Sequence, residues 1–444
     1  IHDSTKKEIL IFQKILQIKN KFGNNAIKNY LISNTEDFVN ILEVMFLFLL
    51  ANKKSTELSI VPLFESIKDL SNSNKIIEEF ITNEYTKKFI KNVLKNRIEV
   101  LLGYSDSCKD GGNFASSWKI YNVQKKLTSL SKKYSIEISF FHGRGGTIGR
   151  GGGPSYYAIN SQPKGSITRK LRFTEQGEII WAKYSNPRKG WFNLETILTA
   201  AANAIINQKK NLLEDKTFFE AMNFLSDLSA KKYHSLLNLK KFEKVFFDIT
   251  PIKEISKLKI GSRPSSRSNK NNLKDLRSIP WVFSWSQVRA MVPGWYGVGS
   301  ALDFYIKESD ENLEKLRNWY QNIPFFHSLL SNIEMLLAKV NLDITKRYFE
   351  SSKEKESENI FRDIYDEYNK VLNSILLIMD KEYLLQDYRD LKISLDDRIP
   401  YLNILNYFQL ELISRKRKNK KSKLNDESIL ISINGIATGL RNSG

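Results

Sequence analysis

Two carboxylates in the 444-residue chain stand where apolar runs end. Glu65 closes Leu58-Ser59-Ile60-Val61-Pro62-Leu63-Phe64-Glu65, and Asp106 follows Ile98-Glu99-Val100-Leu101-Leu102-Gly103-Tyr104-Ser105. Both runs read as buried strands. If the strands are neighbours in a β/α barrel, the acids meet on one rim, and two hard oxygen ligands suit Mg²⁺ or Mn²⁺. Singly, each acid also reads as a helix cap or a solvated group. Lys109 would share the rim. Arg144, Arg150, Arg263 and Arg277 lie in segments otherwise rich in Gly, Ser or apolar residues. They are either solvated loop charges or forks for phosphate and carboxylate. Together these residues point to a metal-assisted site for a phosphorylated, carboxylated small molecule.

A third strand, Ile136-Glu137-Ile138-Ser139-Phe140, runs into the glycine-rich stretch Phe141 to Pro154, which holds His142, Arg144 and Arg150. Its glycines let backbone amides approach an anion. The stretch is not a common nucleotide loop: after Gly146 and Gly151 comes Gly152-Gly153 rather than Lys-Ser/Thr, and a GxGxxG frame begun at Gly143 meets Ile148.

The elements that must position these groups alternate along the first 190 residues. Helical stripes at 4–22 and 36–51 precede the Glu65 strand, a polar helical stretch covers 68–96, and a helix spans about 114–133. A fourth β unit is read at Arg169 to Thr174, with Glu178-Ile179-Ile180 next. Four such units predict half of a β/α barrel. From about 192 onward the chain reads as helical, giving two regions, 1–190 and 191–444. The break at Gly261 to Asn272 has the composition of a disordered loop. No internal repeat has a solenoid period.

Composition excludes several classes. One cysteine, Cys108, gives no disulfide framework, and four histidines scattered along the chain argue against a zinc cluster. The run Val44 to Leu50 is too short to span a bilayer and reads as a buried helix. No signal peptide is visible at Ile1, so a cytoplasmic fragment or processed piece is expected. Net charge is +20, which admits a non-catalytic nucleic-acid-binding protein as the second reading. The excess is diffuse, however, and the one dense run, Arg415 to Lys423, reads as a solvated linker between two C-terminal helices.

The stretch from Phe141 to Pro154, with Ser155-Tyr156-Tyr157-Ala158-Ile159 and Ser161-Gln162-Pro163, closely resembles the signature of phosphoenolpyruvate carboxylase. So do Val61 to Glu65, Leu102 to Ser107 with Lys109-Asp110-Gly111-Gly112, and Thr174 to Glu178. The same holds for Gly261-Ser262-Arg263-Pro264, Arg277-Ser278-Ile279-Pro280-Trp281, Pro293 to Gly299, and Gly439 to Gly444. These matches run in family order, with a bacterial flavour. Cys108 stands where the family usually has another small residue, and Ser443 replaces its usual Thr.

The resemblance implies a lyase that joins bicarbonate to phosphoenolpyruvate, giving oxaloacetate and phosphate through carboxyphosphate and the pyruvate enolate. It assigns the divalent cation to Glu65 and Asp106, and positive charge for the moving phosphoryl group to Arg144 and Arg277, with Arg263 nearby. Lys109 would act around bicarbonate, and the loop holding His142 and Arg150 would close over the substrate. Lys339, Arg398 and Asn442, with Arg150, match the positions where the family binds aspartate or malate as feedback inhibitors. The family is a homotetramer, with neither membrane nor nucleic acid expected as partner. Its catalytic histidine, a further substrate arginine and the first four barrel strands have no counterpart in this sequence. A C-terminal half, incomplete and inactive alone, is therefore expected, with an inactive remnant as a further alternative.

Overall fold

The structure, a computed structural model, describes residues 2–52, 58–145, 152–175, 177–207, 214–258, 264–267, 272–418 and 423–441, the side chains of 4, 177, 178 and 423–425 excepted. Five strands form one parallel sheet in sequence order: β1 (Asn29–Ile32), β2 (Ser59–Phe64), β3 (Arg97–Gly103), β4 (Glu137–Gly143) and β5 (Arg172–Phe173). Parallel neighbours need crossovers, and helices supply them at Val39–Asn52, Ile67–Thr82 with Glu84–Asn92, and Tyr104–Tyr134. The register sets Leu63 beside Leu101 and Gly103 beside Gly143, so the carboxyl ends of β2, β3 and β4 lie level.

Alternation along the strands decides which face is covered. Ile60, Phe64, Ile98, Val100, Leu102, Ile138 and Phe140 pack on Leu70, Ile77 and Phe80 of helix Ile67–Thr82 and on Ile120, Val123 and Leu127 of helix Tyr104–Tyr134. On the other face, Glu99 is buried and bridged by Lys170 at 2.5 Å and Arg172 at 2.7 Å. Almost all of the remaining chain is helical, around a larger core containing Trp118, Trp281, Trp285, Trp295 and Tyr233.

Several expectations are corrected. The sheet has five strands among the described residues rather than four, because short β1 carries too little periodicity to be read. Glu178 to Ile180 belong to helix Gly177–Tyr184, since so short an apolar run has no period of its own. Val44 to Leu50 lie in helix Val39–Asn52, but this helix is only half buried. Its Phe48 ring packs 5.7 Å from Phe12, while Phe46, Leu49 and Leu50 are 59%, 47% and 50% exposed. The described part of 261–272 is ordered: Ser266 bridges to Leu276, and Arg267 N–H donates to the Asp275 carbonyl at 2.8 Å. Nor is Arg415 to Lys423 simply a linker. Arg415 to Lys418 end helix Ile399–Lys418, where cations suit the helix dipole, and Lys416 pairs with Glu254 at 2.8 Å and Asp426 at 2.5 Å. Residues 419–422 lie outside the described residues.

Candidate active site

Glu65 is the first residue past β2, and the chain turns there under tight control. Ser66 caps helix Ile67–Thr82 in a reciprocal box with Asp69, at 3.0 and 2.9 Å. The Ile67 N–H donates to Asp110 at 3.0 Å, tying this turn to the next strand–helix unit. Asp106 lies in the first turn of helix Tyr104–Tyr134, which starts directly from β3, and accepts from the Ser278 hydroxyl at 3.3 Å. The helix breaks at Gly112, whose φ of 80° is a conformation that suits glycine alone.

The two acids share a cleft with two lobes. One, of about 520 Å³, is lined by Glu65, Asp106, Lys109, Asp110, His234 and Arg267. The other, of about 470 Å³, is lined by Glu65, Asp106, Tyr104, Thr174, Pro264 and Arg277. Glu65 and Asp106 thus line both lobes, with Lys109 in the first and Arg277 in the second. Lys109 Nζ donates to the Leu273 carbonyl at 2.6 Å and also to that of Leu276. Burial, reinforced by Arg267, pushes its pKa down to about 8. Arg267, missed from the sequence, lies 3.7 Å from the buried Glu65 carboxylate. No local signal joins residues so far apart in the chain.

Two carboxylates, with no cluster of three His, Cys, Asp or Glu groups among the described residues, fit a hard cation that keeps waters and takes substrate oxygens. They do not fit a fully protein-ligated zinc.

Other expected residues lie elsewhere. His142 belongs to β4 rather than to the glycine-rich segment after it, and is buried with Nδ1 2.9 Å from the Tyr104 hydroxyl. Burial, with Arg144 adding repulsion, pushes its pKa down to about 3, so the ring is neutral. Arg144 lines a separate polar cavity with Gln124 and Asn332 rather than the acidic cleft. Lys339 and Arg398 come together with Arg441, which sequence reading did not single out. Burial and these two guanidiniums push the Lys339 pKa down to about 8. Arg398 donates to the carbonyls of Ser394 and Gly439, both at 2.5 Å. Arg150, Arg263 and Asn442 lie outside the described residues.

The comparison with protein families settles the class to which this arrangement belongs. The phosphoenolpyruvate carboxylase family matches residues 1–444. The chain belongs to that family. The paired acids at adjacent strand ends and the arginine across the cleft are thus found in a member of the phosphoenolpyruvate carboxylase family, whose name specifies a phosphorylated, carboxylated substrate. No helix among the described residues is long and apolar enough to cross a membrane.

Proposed function

We propose that this chain carries much of the active site of a bacterial-type carboxylase that joins bicarbonate to phosphoenolpyruvate. The observation that carries this reading is the shared cleft of Glu65, Asp106, Lys109 and Arg277 in a member of the family. Region 1–190 supplies the acids and Lys109, and region 191–444 supplies Arg277 across the cleft. A bicarbonate oxygen forms a bond to phosphorus as the enolate oxygen leaves, giving carboxyphosphate. Its carbon dioxide then forms a carbon–carbon bond to the enolate, leaving oxaloacetate and phosphate.

Glu65 and Asp106 would hold Mg²⁺ or Mn²⁺, which would supply Lewis-acid stabilisation of the enolate. Arg277, with Arg263, binds the phosphoryl oxygens through preorganised charge. Lys109, held at two carbonyls, attracts the bicarbonate anion. His142 is a neutral positioning group behind the site, and Arg150 belongs to the covering segment. Aspartate or malate binds at Lys339 and Arg398 with Asn442, and draws Arg150 away from catalysis.

The partly exposed helix Val39–Asn52 and the short edge strand β1 support a further reading. In the working enzyme, additional strand–helix units cover this face and close the sheet into a barrel, this chain being the C-terminal half of a cytoplasmic homotetramer. No nucleic-acid partner is proposed: in the densest basic run Arg415 and Lys416 are committed to ion pairs with Glu411, Glu254 and Asp426.

The test uses protein captured from its native source with an antibody against this chain. Labelled bicarbonate should enter oxaloacetate when phosphoenolpyruvate and Mg²⁺ are supplied. No incorporation by intact protein would overturn the reading.

A further inference from the structure

Arg289 is a guanidinium with no exposure to solvent. It follows helix Ser278–Gln287, and its backbone is held at a φ of 61°, a left-handed conformation uncommon for a residue with a Cβ. Its Nε donates to the Lys339 carbonyl at 3.1 Å and its Nη1 to Asn403 Oδ1 at 3.2 Å, while its own carbonyl accepts from the Asn341 N–H at 3.0 Å. These partners are neutral, and Arg289 forms no ion pair among the described residues. Burial pushes its pKa down to about 10, which leaves it charged at physiological pH. A buried cation without a carboxylate is costly to the fold.

Its partners show what that charge holds. Lys339 lies just past helix Pro324–Leu337, and Asn341 caps helix Leu342–Glu350 by accepting from the Ile344 N–H at 3.0 Å. Arg289 therefore grips the turn between these helices at two points, one of them Lys339 itself. Asn403 belongs to helix Ile399–Lys418, which starts directly after Arg398. The guanidinium thus bridges the turn bearing Lys339 to the helix beside Arg398. Lys339 and Arg398 are themselves without an ion pair among the described residues, and the charges they feel most are each other and Arg441. A ligand with two carboxylates gains from such cations in full only when their spacing is set before it binds.

We propose that Arg289 is a positioning residue of the dicarboxylate site, fixing the spacing of Lys339 and Arg398 from behind. The assignment rests on the reading that aspartate or malate binds at these cations. Fully buried, Arg289 does not touch the ligand. It acts through the Lys339 backbone and through Asn403, and it adds positive charge behind the site.

Two variants of the whole enzyme test this with the positive charge kept. Arg289→Lys replaces the fork with a single amine, and Asn403→Leu removes the far anchor while Arg289 stays. Inhibitory constants are measured for aspartate and for glutamate, which is one methylene longer, together with the rise in melting temperature that each ligand produces. Both variants should raise the inhibitory constant of aspartate about tenfold, the equivalent of one hydrogen bond to a charged group. The preference for aspartate over glutamate should fall at the same time, because a relaxed spacing no longer selects chain length. A merely structural role would lower the melting temperature of the free enzyme and leave that preference where it is. An unchanged preference in both variants therefore overturns the proposal, and should one variant fail to fold, the other carries the test. Lys339→Met separates the two readings. Aspartate binding that survives it would strike the dicarboxylate site and the proposal with it. Binding that it abolishes, but that Arg289→Lys and Asn403→Leu leave unaltered, would strike the positioning role alone.

Discussion

The Tyr104 hydroxyl lies 2.9 Å from His142 Nδ1, joining the first residue of a long helix to the end of β4. Burial pushes the tyrosine pKa up to about 12, so a neutral phenol pairs with a neutral imidazole. This bond makes His142 a neutral strut at physiological pH.

Acid should therefore act on stability through His142. Its folded pKa, about 3, lies below its ordinary value of 6.5. As pH falls between these values, the unfolded chain takes up a proton that the folded chain refuses. The stabilisation is complete above the ordinary value and is lost on acidification, at about 1.4 kcal/mol per pH unit where the dependence is steepest. Urea midpoints measured across this range should shift with pH in the native protein and shift less in His142→Gln.

Removing either rim acid should cost metal and activity together. Glu65→Gln and Asp106→Asn are each expected to weaken Mn²⁺ binding and to lower kcat/KM by about 100-fold or more. Titration of Mn²⁺ followed by electron paramagnetic resonance reads the first effect without any turnover. Unaltered binding in both variants would remove the acids from the metal site.

Lys109 sets an alkaline limit. Its folded pKa is depressed, so the ammonium is present below about pH 8 and is lost above it. Attraction for bicarbonate should fall with it, and kcat/KM for bicarbonate should decline with an apparent pKa near that value. In Lys109→Arg the residual activity should lack this limb, because guanidinium keeps its charge.

The cluster of Lys339, Arg398 and Arg441 makes an analogous prediction for inhibition. A bound dicarboxylate favours protonated Lys339, so inhibition by aspartate should be strongest below about pH 8 and weaken as pH rises through it. Arg441→Gln should raise the inhibitory constant about tenfold, as expected for loss of one charge-assisted contact. Dose–response curves on either side of that pH test both statements.

Gly299 explains a motif that chemistry alone did not. A Cβ there would lie 2.4 Å from the Val371 nitrogen and 2.9 Å from the Glu367 carbonyl oxygen. Helix Val298–Glu308 thus packs backbone against helix Ser357–Met379. Gly299→Ala should destabilise the fold by about 1–3 kcal/mol, measurable by thermal denaturation.

What was legible in the sequence is what chain-local patterns encode. β2, β3 and β4 announce themselves by dense apolar, β-branched runs, and the acids at their ends follow once the strands are parallel neighbours. β1 is short and follows a polar Gly-Asn turn, so nothing marks it until it pairs with β2. The contacts of Glu65 with Arg267, and of Lys339 with Arg441, join residues a hundred or more positions apart, and only tertiary packing creates them. His142 was read with the glycines after it. Its inclusion in β4 depends on pairing with Leu102, which no periodicity reports.

The break at Gly112 detaches the first two turns of backbone from the long segment behind it. Asp106 and Lys109 are thereby held from both sides, by β3 and by Ser278 and the Leu273 carbonyl of the helical region. Residues 113–134 face both cores, Trp118 packing into the helical one and Ile120, Val123 and Leu127 against the sheet. A side chain at Gly112, strained at its positive φ, would therefore disturb the rim and both cores at once.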